Sequence, residues 1–207
     1  MELFVISLSR TCGGGAGDVA EILSKQYGIS VYDHELLNLA AAKSGISENV
    51  FEKSDERVTH SLLFYTYQNL YGGEFVPPES GDFTSDIALF SAQSKVLREL
   101  ANKESYIVIG RSADYVLRDR PNLISVFLYA EPEICTQRIM KRFDMGQKEA
   151  EKYIKKINKQ RRSYCSFHTN RDWTEATNYH LCLDTGKLGI EKSAAIIAAY
   201  LQERLKG

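Results

Sequence analysis

The stretch Gly13-Gly14-Gly15-Ala16-Gly17-Asp18 is the part of the chain whose residue types most directly suggest chemistry. It follows the apolar run Leu3–Leu8, interrupted by Ser7, and opens a pattern in which Val19, Ala20, Leu23 and Tyr27 share one helix face. Strand, glycine cluster and helix together form a cradle for phosphate. Glycine lets the backbone approach closely, and the helix N-terminus offers free N–H groups and partial positive charge. Tested against GxxxxGK[ST], only Gly15 matches; Arg10, Ala16 and Gly17 stand where the first Gly, the Lys and the Ser/Thr would be. The dinucleotide fingerprint fails too, because Asp18 stands where its last Gly is required. The loop therefore reads either as a phosphate site or as a turn that tightens strand-to-helix packing. Asp18 is a helix-start carboxylate or, beside a phosphate, a candidate metal contact.

Phosphoryl transfer needs cations around the moving group more than covalent chemistry. Arg10 leaves the first strand directly into the glycine loop and is the natural substitute for the absent lysine. Arg111 follows Gly110 at the carboxyl end of another strand, the edge where open α/β sheets bind ligands. Arg138 and Arg142 lie four apart, on one helix face. Residues 138–162 hold ten Lys/Arg against three acids, Asp144, Glu149 and Glu151. Lys148, Lys152, Lys155, Lys159 and Arg162 form a stripe that reads as a solvated face. Arg161 projects instead with Ala150, Ile154, Ile157 and Tyr164, so it needs a partner there: a carboxylate or a substrate phosphate.

These groups need a frame. The chain has 207 residues, 26 Lys+Arg against 27 Asp+Glu, net charge −1, and 43% hydrophobic residues. That balance excludes a disordered chain and a globally basic nucleic-acid coat, and no RNA- or DNA-binding signature accompanies the lysine stripe. Four scattered cysteines with no CxxC pair argue against a disulfide framework or zinc site and for a reducing compartment. The first apolar run is too short for a signal peptide or membrane span. A cytoplasmic protein without membrane or nucleic-acid partners is expected. Strands are predicted at 29–32, 105–109, 123–129 and 179–183 in addition to the first. Helices are predicted from Asp33 and from Ser47, and at 84–102, 132–143, 147–164 and 191–205. Strands alternating with helices imply a parallel sheet covered on both faces. Gly72–Gly81 is the one clear loop cluster. Phe64, Tyr65, Tyr67 and Tyr71 read as a core face or a homodimer contact rather than a stacking shelf.

Five segments in order carry a resemblance: Ile6–Arg10 with the glycines, Tyr32–Leu37, Val108–Leu117, Leu128–Glu133 through Arg138 and Arg142, and Tyr179–Thr185 with Leu188-Gly189. Together they resemble the cytidylate kinase-like family, in the nucleoside monophosphate kinase branch of the P-loop fold. The resemblance implies a three-layer α/β P-loop kinase domain over 1–207, with a parallel sheet of about five strands, an acceptor-binding insert at 48–93 and a lid at 143–173. It also implies that Gly13, Gly14, Gly15, Ala16, Gly17 and Asp18 hold the ATP β-phosphate and that Arg111 grips a monophosphate acceptor. Asp33 and Asp114 would lie near the acceptor nucleotide, Arg138 would stack near adenine or reach the phosphates, and Arg142 would sit beside it. Arg161 and Arg162 would belong to the lid. Gln93 is either an amide reading a pyrimidine edge or a surface glutamine. Trp173 is expected to anchor the lid, and Cys12 to be incidental.

The implied reaction is transfer from ATP, with Mg²⁺, to a nucleoside monophosphate, CMP or dCMP first. An ionised acceptor oxygen attacks in line and needs no protein base. Two positions depart from a cytidylate kinase proper: Ala16 replaces a lysine, and Ser112 an aspartate. Either Arg10 and a lid arginine compensate, or the chain binds nucleotide in a regulatory role, or it phosphorylates another small acceptor.

Overall fold

The computed structural model describes residues 2–33 and 83–206. The helices expected from Asp33 and Ser47, the aromatic helix, the Gly72–Gly81 loop and most of the proposed acceptor insert lie outside those residues.

Five strands, β1 (Val5–Arg10), β2 (Ser30–Tyr32), β3 (Tyr106–Ile109), β4 (Leu123–Tyr129) and β5 (Leu181–Asp184), form one sheet ordered β2-β3-β1-β4-β5. Every pairing is parallel, with Ile6 opposite Ile107 on one side and Ile124 on the other. The central strands are apolar because they are covered on both faces. On one face Ile6, Leu8, Ile124 and Val126 pack with Val19, Ala20 and Leu23 of α1 (Ala16–Tyr27) and with Ala194, Ile197 and Leu201. The last three belong to α7 (Ile190–Leu205). On the other, Val5, Tyr106 and Val108 pack with Ala92, Val96 and Leu97 of α2 (Phe83–Leu100) and Ala113 and Val116 of α3 (Ala113–Val116).

The remaining helices are α4 (Pro132–Phe143), α5 (Gln147–Thr169) and α6 (Thr185–Leu188). Helix α5, the expected lid, runs five residues beyond its predicted end and closes at Asn170 in the left-handed region. Its N-terminal half packs Ala150 and Ile157 on Ile139 and Cys12, and its C-terminal end packs Cys165 with Phe127 and Trp173. Trp173 meets Phe127 edge-on at 5.4 Å and its carbonyl accepts the Tyr179 hydroxyl at 2.8 Å, so it does anchor the segment after α5 to the sheet. All four cysteines are free. No described helix is long and apolar enough to cross a membrane.

Candidate active site at the carboxyl edge of the sheet

Because all five strands are parallel, their carboxyl ends deliver Asp33, Arg111, the glycine loop, Tyr129 and Asp184 to one edge. Strand β1 extends two residues further than its apolar run suggests, making Arg10 its last residue. The loop is then only Thr11–Gly15. Gly13 and Gly15 have φ near +80°, and Gly15 caps α1 in the left-handed conformation.

Space around the loop is uneven. A β-carbon on Gly13 would lie 2.7 Å from the Cys135 α-carbon and 2.8 Å from its carbonyl oxygen. On Gly15 it would press on Ile190, and on Gly17 it would meet nothing within 4 Å. The crowded side faces α4 and α7; the open side is at the first turn of α1, where Gly17 and Asp18 are exposed. The first-turn amides have no intrahelical carbonyl to bond, and this is where an anion is best received. Ala16, where the sequence pattern would place lysine, is buried in the core. A cation for this loop must come from another element.

Two of the expected arginines meet here. The Arg161 guanidinium donates to the Arg10 carbonyl at 3.1 Å, so its demanded partner includes a backbone oxygen. The Arg10 guanidinium lies against Gly110, whose φ of +77° and missing side chain make room for it. Arg10 thus leans toward the β3 side of the edge. Gly110, Arg111 and Ser112 are three successive residues with positive φ, at 77°, 59° and 48°. For the latter two, the left-handed region costs about 1 kcal/mol each, and such strain collects at functional sites. This turn throws the Arg111 guanidinium over the Tyr164 ring of α5, 5.2 Å from its centroid.

Beside it, His168 stacks on Phe90 with centroids 4.2 Å apart. Burial and the Arg111 charge push the His168 pKa down to about 4, so the ring is neutral at pH 7. Asp114 is buried at the start of α3, and burial raises its carboxyl above the usual range despite Arg171, backbone N–H groups and the Ser9 hydroxyl. Gln93 is 1% exposed, so the surface alternative fails: α2 turns it inward with Ala92 and Val96.

The other expected arginines lie apart from the Arg10–Arg161 pair. Arg138, expected to stack near adenine or reach the phosphates, is turned toward the glycine loop and the end of β5. Its Nη1 donates to the Gly13 carbonyl at 3.0 Å and to Thr185 Oγ1 at 2.8 Å, and its Nη2 to the Thr185 carbonyl at 3.0 Å. Arg142 is exposed and folds over its neighbour Phe143. Arg162 is exposed, with Asp172 as its electrostatic neighbour, because one helical step rotates it 100° from Arg161. Among the described residues no three His, Cys, Asp or Glu are grouped to hold a metal.

Two contributors went unread in the sequence: Asn158, whose Oδ1 accepts the Cys12 N–H at 2.8 Å, and Thr185, wholly buried at the end of β5. Asn158 lies one helical turn before Arg161 and could have been found from that spacing. Thr185 stood inside a matching motif without a chemical reason to single it out.

A search of curated proteins returns no match. Among solved structures, an uncharacterized protein from Eubacterium ventriosum is similar at 25% identity and TM-score 0.73, with 97% of this chain and 99% of that chain covered. The YorR protein from Bacillus subtilis, solved in complex with phosphorylated GDP, aligns at 14% identity and TM-score 0.52 over 98% of both chains. Shikimate kinase from Acinetobacter baumannii, in complex with shikimate, aligns at 15% identity and TM-score 0.50 over 97% of this chain and 94% of that chain. At such identities the last two show the shared P-loop kinase fold. The family model for the cytidylate kinase-like family matches residues 5–187, and with the sheet order, the loop and the arginine edge in place, this chain belongs to that family.

Proposed function

We propose that the chain transfers a phosphoryl group from ATP to a nucleoside monophosphate, with CMP or dCMP the leading acceptors. The observation that carries this reading is the glycine loop flanked by Arg10, Arg111 and Arg161 at the carboxyl edge of a parallel sheet. The open side of the loop suits the nucleotide phosphates. Arg111, fixed in a strained turn on the β3 side, suits the acceptor phosphate. Arg10 lies between them, between loop and turn, where charge builds on the group in transit. Arg161, held to the end of β1, adds a second cation from α5. The acceptor oxygen is already ionised, so the reaction asks these residues for alignment and charge rather than proton removal.

Mg²⁺ bound with the nucleotide would spread charge across its outer phosphates. The donor set fits a metal that keeps water and phosphate ligands, since exposed Asp18 is the lone carboxylate on the first turn of α1.

The buried methyl of Ala16 favours a second reading, nucleotide binding without turnover. The deciding experiment is transfer from Mg·ATP to CMP, dCMP, UMP, AMP and GMP, with Arg10→Ala as the control against a contaminating host kinase. Diphosphate product that disappears in the variant supports the enzyme and names its base. No product with ATP still bound supports the second reading, and neither product nor binding overturns both.

A further inference from the structure

The glycine loop is fastened by its carbonyls. The Gly13 oxygen accepts from Arg138 Nη1 at 3.0 Å, and the Gly14 oxygen accepts from the Thr185 hydroxyl at 3.0 Å. The same hydroxyl accepts from Arg138 at 2.8 Å and also faces the Tyr129 carbonyl at 3.2 Å. Thr185 is fully buried, and Arg138 Nη2 grips its carbonyl as well. One threonine thus joins the ends of β4 and β5, helix α4 and the loop.

In a trans peptide the N–H points opposite to the C=O. With the Gly13 and Gly14 carbonyls both drawn toward the Arg138–Thr185 pair, the N–H of Gly14 turns back to the Thr11 carbonyl at 2.9 Å. The N–H of Gly15 is aimed away from Thr185. The conformation of the loop, and with it the direction of its donors, is therefore set from behind by two side chains that need not touch a ligand.

We infer that Arg138 and Thr185 are positioning residues that set the peptide planes of the glycine loop and so control its affinity for a polyphosphate, without contacting nucleotide. This rests on the reading of the loop as the phosphate site. It also assigns Arg138 a role other than stacking on adenine. Thr185→Val removes the hydroxyl at constant shape; Thr185→Ser keeps it.

The test has two readouts. The first is the dissociation constant of wild type, Thr185→Val, Thr185→Ser and Arg138→Lys for Mg·ATP, inorganic tripolyphosphate and adenosine. The second is amide hydrogen exchange across residues 11–18 without ligand. Thr185→Val should weaken both polyphosphates about tenfold, the effect of a lost buried hydrogen bond. It should leave adenosine within twofold and speed exchange at Gly13–Gly15. Thr185→Ser should restore wild-type values, whereas Arg138→Lys should weaken the polyphosphates because one ammonium cannot reach all three acceptors.

If ATP and adenosine weaken equally in Arg138→Lys while Thr185→Val binds as wild type, Arg138 is a base-stacking residue and the inference falls. If exchange in the loop is unchanged in Thr185→Val, the inference falls whatever the binding shows. If wild type binds neither polyphosphate while the loop exchanges faster in the variant, the phosphate reading fails, and the fastening remains as an element of the fold alone.

Discussion

The two faces of the glycine loop make opposite demands on its glycines, and the difference can be measured. Gly13→Ala places a methyl 2.7 Å from the Cys135 α-carbon and 2.8 Å from its carbonyl oxygen. These are backbone atoms of a packed helix and cannot swing aside. At φ +80° the alanine also enters the left-handed region. Conformational cost of about 1 kcal/mol and overpacking of about 2 kcal/mol sum to roughly 3 kcal/mol. For a chain of this length that lowers Tm by roughly 6–12 °C. Gly17→Ala puts the same methyl into open space in the first turn of α1. Here glycine carries only its propensity penalty, so alanine should stabilise by about 0.5 kcal/mol and raise Tm by roughly 1–2 °C. Differential scanning fluorimetry of the two variants beside wild type, with and without Mg·ATP, is sufficient. If Gly17→Ala lost as much as Gly13→Ala, the loop would be crowded on both sides and could not offer an open face to phosphate. If Gly13→Ala melted with the wild type, the contact with α4 would not hold the loop at all.

Arg111→Ala should raise the acceptor KM by roughly 10–100-fold, the effect of losing a charge-assisted hydrogen bond, while ATP binding stays within twofold. Isothermal titration with each ligand separates the two, and equal loss of both would refute the assignment. His168 should make folding pH-dependent. Its pKa falls from 6.5 to about 4 on folding, so across that window the unfolded chain binds the proton more readily. Stability is then full above pH 6.5 and is lost as pH drops toward 4, by about 2 kcal/mol after allowing for partial exposure. Urea unfolding at pH 7 and pH 5 should show a smaller difference in His168→Phe, and an unchanged difference would sink the account. Tyr106→Phe, which removes a buried hydroxyl donated to the Leu97 carbonyl at 2.7 Å, should cost about 1–2 kcal/mol in the same assay without altering nucleotide affinity.

The periodic parts of the chain were legible. Leu123–Tyr129 and Pro132–Phe143 fall where predicted, because alternation of apolar run and helix face is a local property. So is the inward turn of Arg161, which follows from helical spacing alone. The surroundings of Arg138 and Gln93 were not legible, for a common reason. Arg138 is bound by groups 125 and 47 residues away, and Gln93 is buried by a helix packing against α3 and β3. Neither environment is written in the neighbouring sequence. The left-handed Arg111 and Ser112 were equally invisible, since nothing local requires non-glycine residues to adopt that conformation.

The fastening of the loop also orders events in time. β1 leaves the ribosome first, yet its neighbours β3 and β4 lie about a hundred residues on, and the Thr185 hydroxyl that holds the Gly14 carbonyl lies 171 residues later. At bacterial and eukaryotic synthesis rates that interval is roughly 9–34 s. Until β3 and β4 emerge, an apolar strand waits with two unpaired edges, which is the exposure that invites chaperones and intermolecular pairing, and the loop beside it stays unset to the end of the interval. A polypeptide released before residue 185 would carry every glycine of the cradle and still lack the side chain that gives it shape.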